Sequence, residues 1–213
     1  MVDNLRDALA YILANPDRFT PALLRHLQLS FAALAIGAAI CLPLGIAIAR
    51  QGRFAQATIN AVGALRLVPS LAILFLAQPL LGIGFVPSLL ALTILAMPPI
   101  LINTYAGVRG VAAEVVEAAT GIGMASGQRL WQIELPLALP ALITGIRTAA
   151  VEVISSATLA AFIGGGGLGI FITRGFATNQ PALMLVGALP VALLALGAEL
   201  ILLLIQRRVS VAA

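Results

Sequence analysis

Apolar residues run through this chain in long stretches, and its charges collect mainly between them. Crossing a hydrocarbon core of about 30 Å takes about 20 helical residues. Residues 27 to 49 carry no charge between His26 and Arg50, which predicts a first spanning helix. From Arg53 to Arg109 the run is interrupted only by Arg66 and by the turn-like LLGIGFVPS at 80 to 88. That predicts a second helix at about 54 to 81 and a third at about 86 to 108. Residues 137 to 163 predict a fourth, ended by the glycines of IGGGGLG at 163 to 169, and residues 183 to 206 a fifth, closed by Gln206, Arg207 and Arg208. Five spans follow, or six if Pro69 divides the second into two pieces.

Composition agrees with this pattern. Of 213 residues, 61% are hydrophobic and 9% charged, with mean hydropathy +1.09, against roughly 25% charged in an ordinary soluble domain. Only 5% are aromatic, and Ala, Leu, Ile and Gly dominate, which suits close-packed helices rather than a barrel with aromatic girdles. The fold class is therefore all-α: a polytopic transmembrane bundle in one domain, residues 1 to 213, in contact with membrane lipid. Every one of the 12 basic residues is arginine, and a net charge of +4 spread over loops does not make a nucleic-acid patch. The single cysteine, Cys41, sits in an apolar run, so neither an internal disulfide nor a cysteine-based metal site is expected. The N-terminal residues 1 to 20 carry Asp3, Asp7 and Asp17 and lack the charge order of a signal peptide.

Arginines near the ends of spans set orientation. With five spans, Arg50 and Arg53, Arg109 and Arg129, and Arg207 and Arg208 share one side, whereas Arg6, Arg18, Arg25 and Arg174 share the other. The first side is expected to be cytoplasmic, with residues 1 to 20 and the N-terminus outside and the C-terminus inside.

Residues 109 to 136 break the apolar pattern. Glu114, Glu117, Arg129 and Glu134 make this segment unfit for the bilayer interior, and it is too short for a soluble domain. EVVEAATGIGM from Glu114 reads as a short helix with acidic residues near its positive end, stopped by Gly121 and Gly123. Ser126 is a plausible N-cap of a second short helix, GQRLWQIE, after which Leu135-Pro136 is expected to turn the chain back into the membrane. An interfacial loop with Trp131 at headgroup level is the bland alternative.

Glu117-Ala118-Ala119, then Gly123, then Leu135-Pro136 resemble the EAA-type loop of the membrane subunits of bacterial ABC importers. The resemblance extends through LRLVPSLAILFLAQPLLGIG at 65 to 84, NTYAGVRGV at 103 to 111 and the long run at 135 to 169. In these stretches the chain is most similar to the osmoprotectant group, whose solutes include glycine betaine, choline and carnitine. Methionine-type subunits share the plan, so an amino acid is the alternative solute. The resemblance implies a type I importer-like permease in the bacterial inner membrane, working as two copies or with a close paralogue. It also implies that the loop is a coupling helix seated in a groove of an ATPase subunit, through Glu117, Ala118, Ala119, Gly123, Ser126, Arg129, Leu130, Trp131, Leu135 and Pro136. Glu117, Gly123 and Leu135-Pro136 would shape the knob, and Ser126, Arg129, Leu130 and Trp131 would offer side chains to the groove.

The chain has no G-x-x-x-x-G-K-[ST] and no lysine, so ATP and magnesium are expected on the partner, with no cofactor, metal or catalytic residue here. Five residues after Arg208 leave no room for a fused solute-binding domain, so a separate extracytoplasmic binding protein is expected. Ionisable residues inside spans are functional candidates by default. At about 1.5 Å per residue, Arg66 and Glu152 come roughly 20 Å from the cytoplasmic end and Arg147 and Glu199 roughly 10 to 15 Å. These depths predict the pairs Arg66 with Glu152 and Arg147 with Glu199, as structural ion pairs or as part of a passage in which Glu152 favours a cationic solute. Asn103, Tyr105 and Thr158 are further passage candidates, or bonds between helices. Gly164 to Gly169 and Pro69-Ser70 read as an outer gate or as plain loop and kink, His26 as an outer-boundary residue and Cys41 as packing. A stand-alone secondary transporter or channel is the competing class. No inverted internal repeat supports it, and no serine, histidine and acid set supports an intramembrane enzyme.

Overall fold

The computed structural model describes residues 2 to 52 and 55 to 212; Arg53, counted above in the first charged turn, lies outside them. Ten α-helices follow in order among the described residues: α1 Val2–Ala14, α2 Pro16–Gln51, α3 Ala55–Ala64, α4 Ser70–Leu81, α5 Phe85–Arg109, α6 Ala113–Gly121, α7 Ser126–Arg129, α8 Leu135–Ser156, α9 Gly169–Ala177 and α10 Pro181–Ala212. Four helical stretches are long and apolar enough to span a membrane: α2, α5, the continuous run Ser126–Ile163 that contains α8, and α10. The bent pair Ala55–Leu67 and Ser70–Leu81 makes a fifth if taken as one span.

The second predicted helix is thus not one rod. Its first part ends in a 3₁₀ turn, Leu65–Leu67, and the direction changes by 96° at Pro69, whose ring removes a donor and forbids a continuing helix. The first predicted helix is longer than its uncharged core, because Pro16 and Asp17 start α2 well before residue 27. Two helices escape the apolar-run criterion. α1 packs Ala8 and Tyr11 against α9 and α10, with the Tyr11 and Phe171 rings edge to face at 6.1 Å. α9 folds back on α10, where an added Cβ on Gly175 would lie 2.6 Å from the Met184 nitrogen.

The core joins α2, α5 and α8 through Leu29, Ala33, Cys41, Leu92, Ile100, Ala149 and Val153. Small residues let these helices approach closely. A Cβ on Gly107 would stand 2.7 Å from the Ala141 Cβ, and one on Gly145 would stand 2.8 Å from the Pro99 carbonyl oxygen. Cys41 takes part in this packing, as expected. α2, α5 and α10 run one way, and α3–α4 and α8 run back. The bundle therefore has two distinct ends. One carries Arg50, Arg109, α6 and residues 126 to 134. The other carries the glycine segment after Ile163, with Arg25, Phe85 and α9.

Candidate functional site

The first end is a knob. α6 closes in a Schellman turn: the Gly123 N–H donates to the Thr120 carbonyl at 3.0 Å, and the Met124 N–H donates to the Ala119 carbonyl at 3.1 Å. Gly123 holds φ +86°, open to glycine and strained for other residues, with nothing within 4 Å of an added Cβ. The spacing of Ala119 and Gly123 is the spacing of the turn itself. Gly121, also predicted to stop the helix, is instead its last residue.

Ser126 does not cap α7. Ala125 is the N-cap residue, without a side-chain bond, and the Ser126 hydroxyl accepts a hydrogen bond from Arg50 Nη2, which also donates to the Ser126 carbonyl at 3.1 Å. Nor does Leu135-Pro136 turn the chain back. Residues Leu130–Glu134 form a π-helical turn, in which the Leu135 N–H reaches the Leu130 carbonyl. This wider turn lets the helix pass Pro136 without pressing its ring on the preceding turn, so knob and span form one continuous helical run.

Two arginines brace the knob on one buried carboxylate. Glu134 is only 6% exposed. Arg129 Nε donates to its Oε1 at 2.9 Å, and Arg129 Nη1 donates to the Thr120 hydroxyl at 2.7 Å, so one side chain ties α6 to the π turn. Arg50 Nε approaches Glu134 Oε2 at 3.9 Å. Arg129, expected to face a partner, is therefore turned inward. What remains outside is Glu117, Ala118, Ile122 at 80% exposure and Trp131 at 73%. Leu130, Leu135 and Pro136 are half-buried beside them, and with Glu117 and Trp131 they line an open cleft of about 1450 Å³ between the knob and the ends of α2 and α5. Glu134, Arg50 and Thr120 were not singled out from sequence as parts of this device; the one signal was a charged residue abutting an apolar span.

The midspan candidates divide. Arg147 and Glu199 pair at 3.4 Å. Arg66 and Glu152 do not: no ion pair within 4.0 Å joins them. Arg66 sits exposed in the 3₁₀ turn Leu65–Leu67, just ahead of the bend. Asn103 donates to the Pro99 carbonyl at 2.8 Å and Thr158 to the Ser155 carbonyl at 2.7 Å, so neither forms the bond between helices considered above. Tyr105 packs in a cluster with Ala49, Val108, Ala138 and Leu142, toward the knob end. These residues do not form one compact site.

At the far end, the glycine segment is a fixed structure. The Gly84 N–H donates to the Ile163 carbonyl at 2.7 Å, Arg25 Nε donates to the Gly165 carbonyl at 3.2 Å, and the Arg25 guanidinium stacks over the Phe85 ring at 4.1 Å. A Cβ on Gly169 would fall 1.9 Å from the Thr158 carbonyl oxygen. His26 is fully buried beneath this segment, at the same end of the bundle, its Nε2 3.0 Å from the Ile154 carbonyl oxygen.

Comparisons with known proteins agree on a family. Residues 41 to 211 match the family described as binding-protein-dependent transport system inner membrane component. The chain is 42% identical over 185 residues to the glycine betaine/carnitine/choline transport system permease protein OpuCB of Bacillus subtilis, covering 87% of this chain and 85% of that one. It is 41% identical to the choline transport system permease protein OpuBB of the same organism, with the same coverage. To the carnitine transport permease protein OpuCB of Listeria monocytogenes it is 45% identical over 175 residues, covering 82% and 80%. Among solved structures, the fold is similar to a chain of the MetNI methionine ABC transporter, with TM-score 0.79 and 20% identity over 90% of this chain and 96% of that one.

Proposed function

Since this chain belongs to the family of binding-protein-dependent transport system inner membrane components, we propose that it forms the passage of an ATP-driven importer for small quaternary amines such as glycine betaine, choline or carnitine. The relatives named for those solutes support the substrate class. The likeness to a methionine transporter is a likeness of fold, and it gives the amino-acid alternative no support of its own.

The observation that carries the coupling mechanism is the braced knob. Its Schellman turn, its inward Arg129 and its buried Glu134 make it stiff, while Glu117, Ile122 and Trp131 remain exposed on it. A stiff projection continuous with α8 transmits force. A groove of a separate ATPase subunit receives Trp131 and its neighbours; closure of the ATPases around ATP and magnesium moves the knob, and α8 moves with it. Ser126 and Arg129 act as braces in this scheme, Gly123 shapes the turn, and Ala118, Ala119, Leu130, Leu135 and Pro136 form the seat and its root.

Two such subunits, identical or closely related, enclose the passage, with Arg66, Asn103, Tyr105, Glu152 and Thr158 as its candidate lining. The knob end is cytoplasmic, because Arg50, Arg109, Arg129, Arg207 and Arg208 gather there. A separate extracytoplasmic protein delivers the solute. The test is reconstitution of the purified chain with its ATPase and binding protein in vesicles. Uptake of labelled glycine betaine, choline or carnitine that stops without ATP or without binding protein supports this function. If the tagged chain carries along no ATPase and uptake persists without ATP, the scheme fails.

A further inference from the structure

The seam between α8 and α10 is a ladder of polar rungs, met by rising residue numbers on α8 and falling ones on α10. Nearest the knob, Gln206 Nε2 donates to the Thr144 hydroxyl at 2.8 Å. Next, Arg147 Nε stands 3.4 Å from Glu199 Oε1. Further along, α8 presents Glu152, but here α10 contributes only Ala195 and Leu196. Among the described residues Glu152 has neither an ion pair within 4.0 Å nor a hydrogen-bonding side chain. A lone carboxylate inside a span is costly unless it faces water or a ligand. Two rungs are filled, and the third is open.

The open rung is a groove of about 520 Å³, room enough for a small solute. Arg147 and Glu199 line it as a pair whose charges cancel, so its net charge is that of Glu152. Thr148 and Ser155 lie one helical turn to either side of Glu152, and both are exposed. The Thr148 hydroxyl donates to the Thr144 carbonyl at 3.0 Å, which leaves its oxygen as an acceptor. Val151, Ala195 and Leu196 complete the lining with apolar surface. One negative charge, hydroxyl oxygens and an apolar wall suit a cation that donates no hydrogen bond. A trimethylammonium group is such a cation, held by charge and by contact with its methyl groups. A guanidinium or a primary ammonium would leave donors unpaired against the same wall.

We propose that the groove between α8 and α10 is a solute subsite, in which Glu152 faces the quaternary ammonium and Val151, Ala195 and Leu196 take its methyl groups. This rests on the reading of the chain as a quaternary-amine permease. The subsite recognises only the cationic head of the solute. Choline, a net cation, feels the attraction of Glu152 alone, whereas glycine betaine also brings a carboxylate that Glu152 repels. Glu152 therefore favours choline over glycine betaine at this step, whatever the binding protein delivers.

Two measurements on the assembled complex in vesicles test it. The first labels a cysteine placed in the groove by Ser155→Cys; the native Cys41 is buried and is the chain's only other thiol. Trimethylammonioethyl and sulfonatoethyl methanethiosulfonate are compared, each rate taken relative to free cysteine and read by the mass of this chain. The cationic reagent is expected to be favoured about threefold to fivefold, the size of one charged contact in a partly wet site, and Glu152→Gln to abolish that preference. The second is dual-label uptake of choline and glycine betaine with one binding protein, a ratio that does not depend on how many transporters fold. Glu152→Gln is expected to lower the choline to glycine betaine ratio by about the same factor, and Glu152→Asp to keep it. A Ser155→Cys thiol that reacts with neither reagent, a charge preference that survives Glu152→Gln, or an unchanged uptake ratio in Glu152→Gln overturns the proposal. An unmutated complex that carries neither solute refutes the underlying permease reading instead.

Discussion

Replacing Glu134 by glutamine keeps the shape of the knob's central side chain and removes its charge. The cost can be worked out from its contacts. The 2.9 Å bond from Arg129 is charge-assisted, of a kind worth about 1.5 to 3 kcal/mol. Arg50, at 3.9 Å and with a side chain 28% exposed, adds about 0.5 to 1 kcal/mol at most. Glutamine retains a carbonyl oxygen that can still accept from Arg129 Nε, which offsets part of the loss. About 2 kcal/mol remains, or roughly a 30-fold rise in the population of the unbraced knob. Hydrogen–deuterium exchange followed by mass spectrometry on the protein in nanodiscs reads this directly. In Glu134→Gln, peptides covering 119 to 134 should exchange about 30-fold faster, because the amides of Gly123 and Met124 are held by the closed turn. Peptides from the middle of α5 should not change. Exchange in the knob within twofold of the unmutated chain would refute the bracing argument, and a uniform rise across the bundle would show that Glu134 supports the whole fold instead.

The two knob glycines should separate cleanly. Gly123→Ala forces a side chain into φ +86° and should destabilise the turn by about 1 to 2 kcal/mol, whereas Gly121→Ala, helical and with nothing within 4 Å, should be neutral or slightly stabilising in the same exchange assay. Gly169→Ala would place its Cβ 1.9 Å from a backbone oxygen, and it should lower the thermal midpoint of the detergent-solubilised protein by several degrees, while Gly63→Ala, with open space around it, should leave or raise it. Trp131→Ala removes a side chain 73% exposed and should not change that midpoint, yet it should lower ATP-dependent uptake at least tenfold; unchanged uptake would take Trp131 out of the docking surface.

The spans were readable in the sequence because twenty apolar residues in a row have few alternatives, and the depth of charges within them was enough to pair Arg147 with Glu199. Arg66 with Glu152 does not pair within 4.0 Å, because equal depth along two helices does not say which face each side chain takes. α1 and α9 were missed since neither is long or uniformly apolar; what makes them helical is packing against α10. In the knob, the Ala119 and Gly123 spacing carried the turn, because a Schellman motif is local. At Ser126, Arg129 and Leu135-Pro136 the structure differs from the local reading, each for its own reason. Ser126 looks like a cap until Arg50, distant in sequence, takes its hydroxyl, and Arg129 looks like a docking residue until the buried Glu134 draws it inward. Pro136 looks like a stop until a π turn widens the helix ahead of it.

The central claim is that the free side of the knob seats in an ATPase subunit. Photo-crosslinking tests it most directly, with Trp131→p-benzoylphenylalanine and Ile122→p-benzoylphenylalanine each co-expressed with the ATPase, and Phe31→p-benzoylphenylalanine on the outside of α2 as the comparison. The knob positions should each give one adduct whose added mass is that of the ATPase, and position 31 none. No ATPase adduct from either knob position in an assembled complex, or equal adducts from position 31, would contradict it.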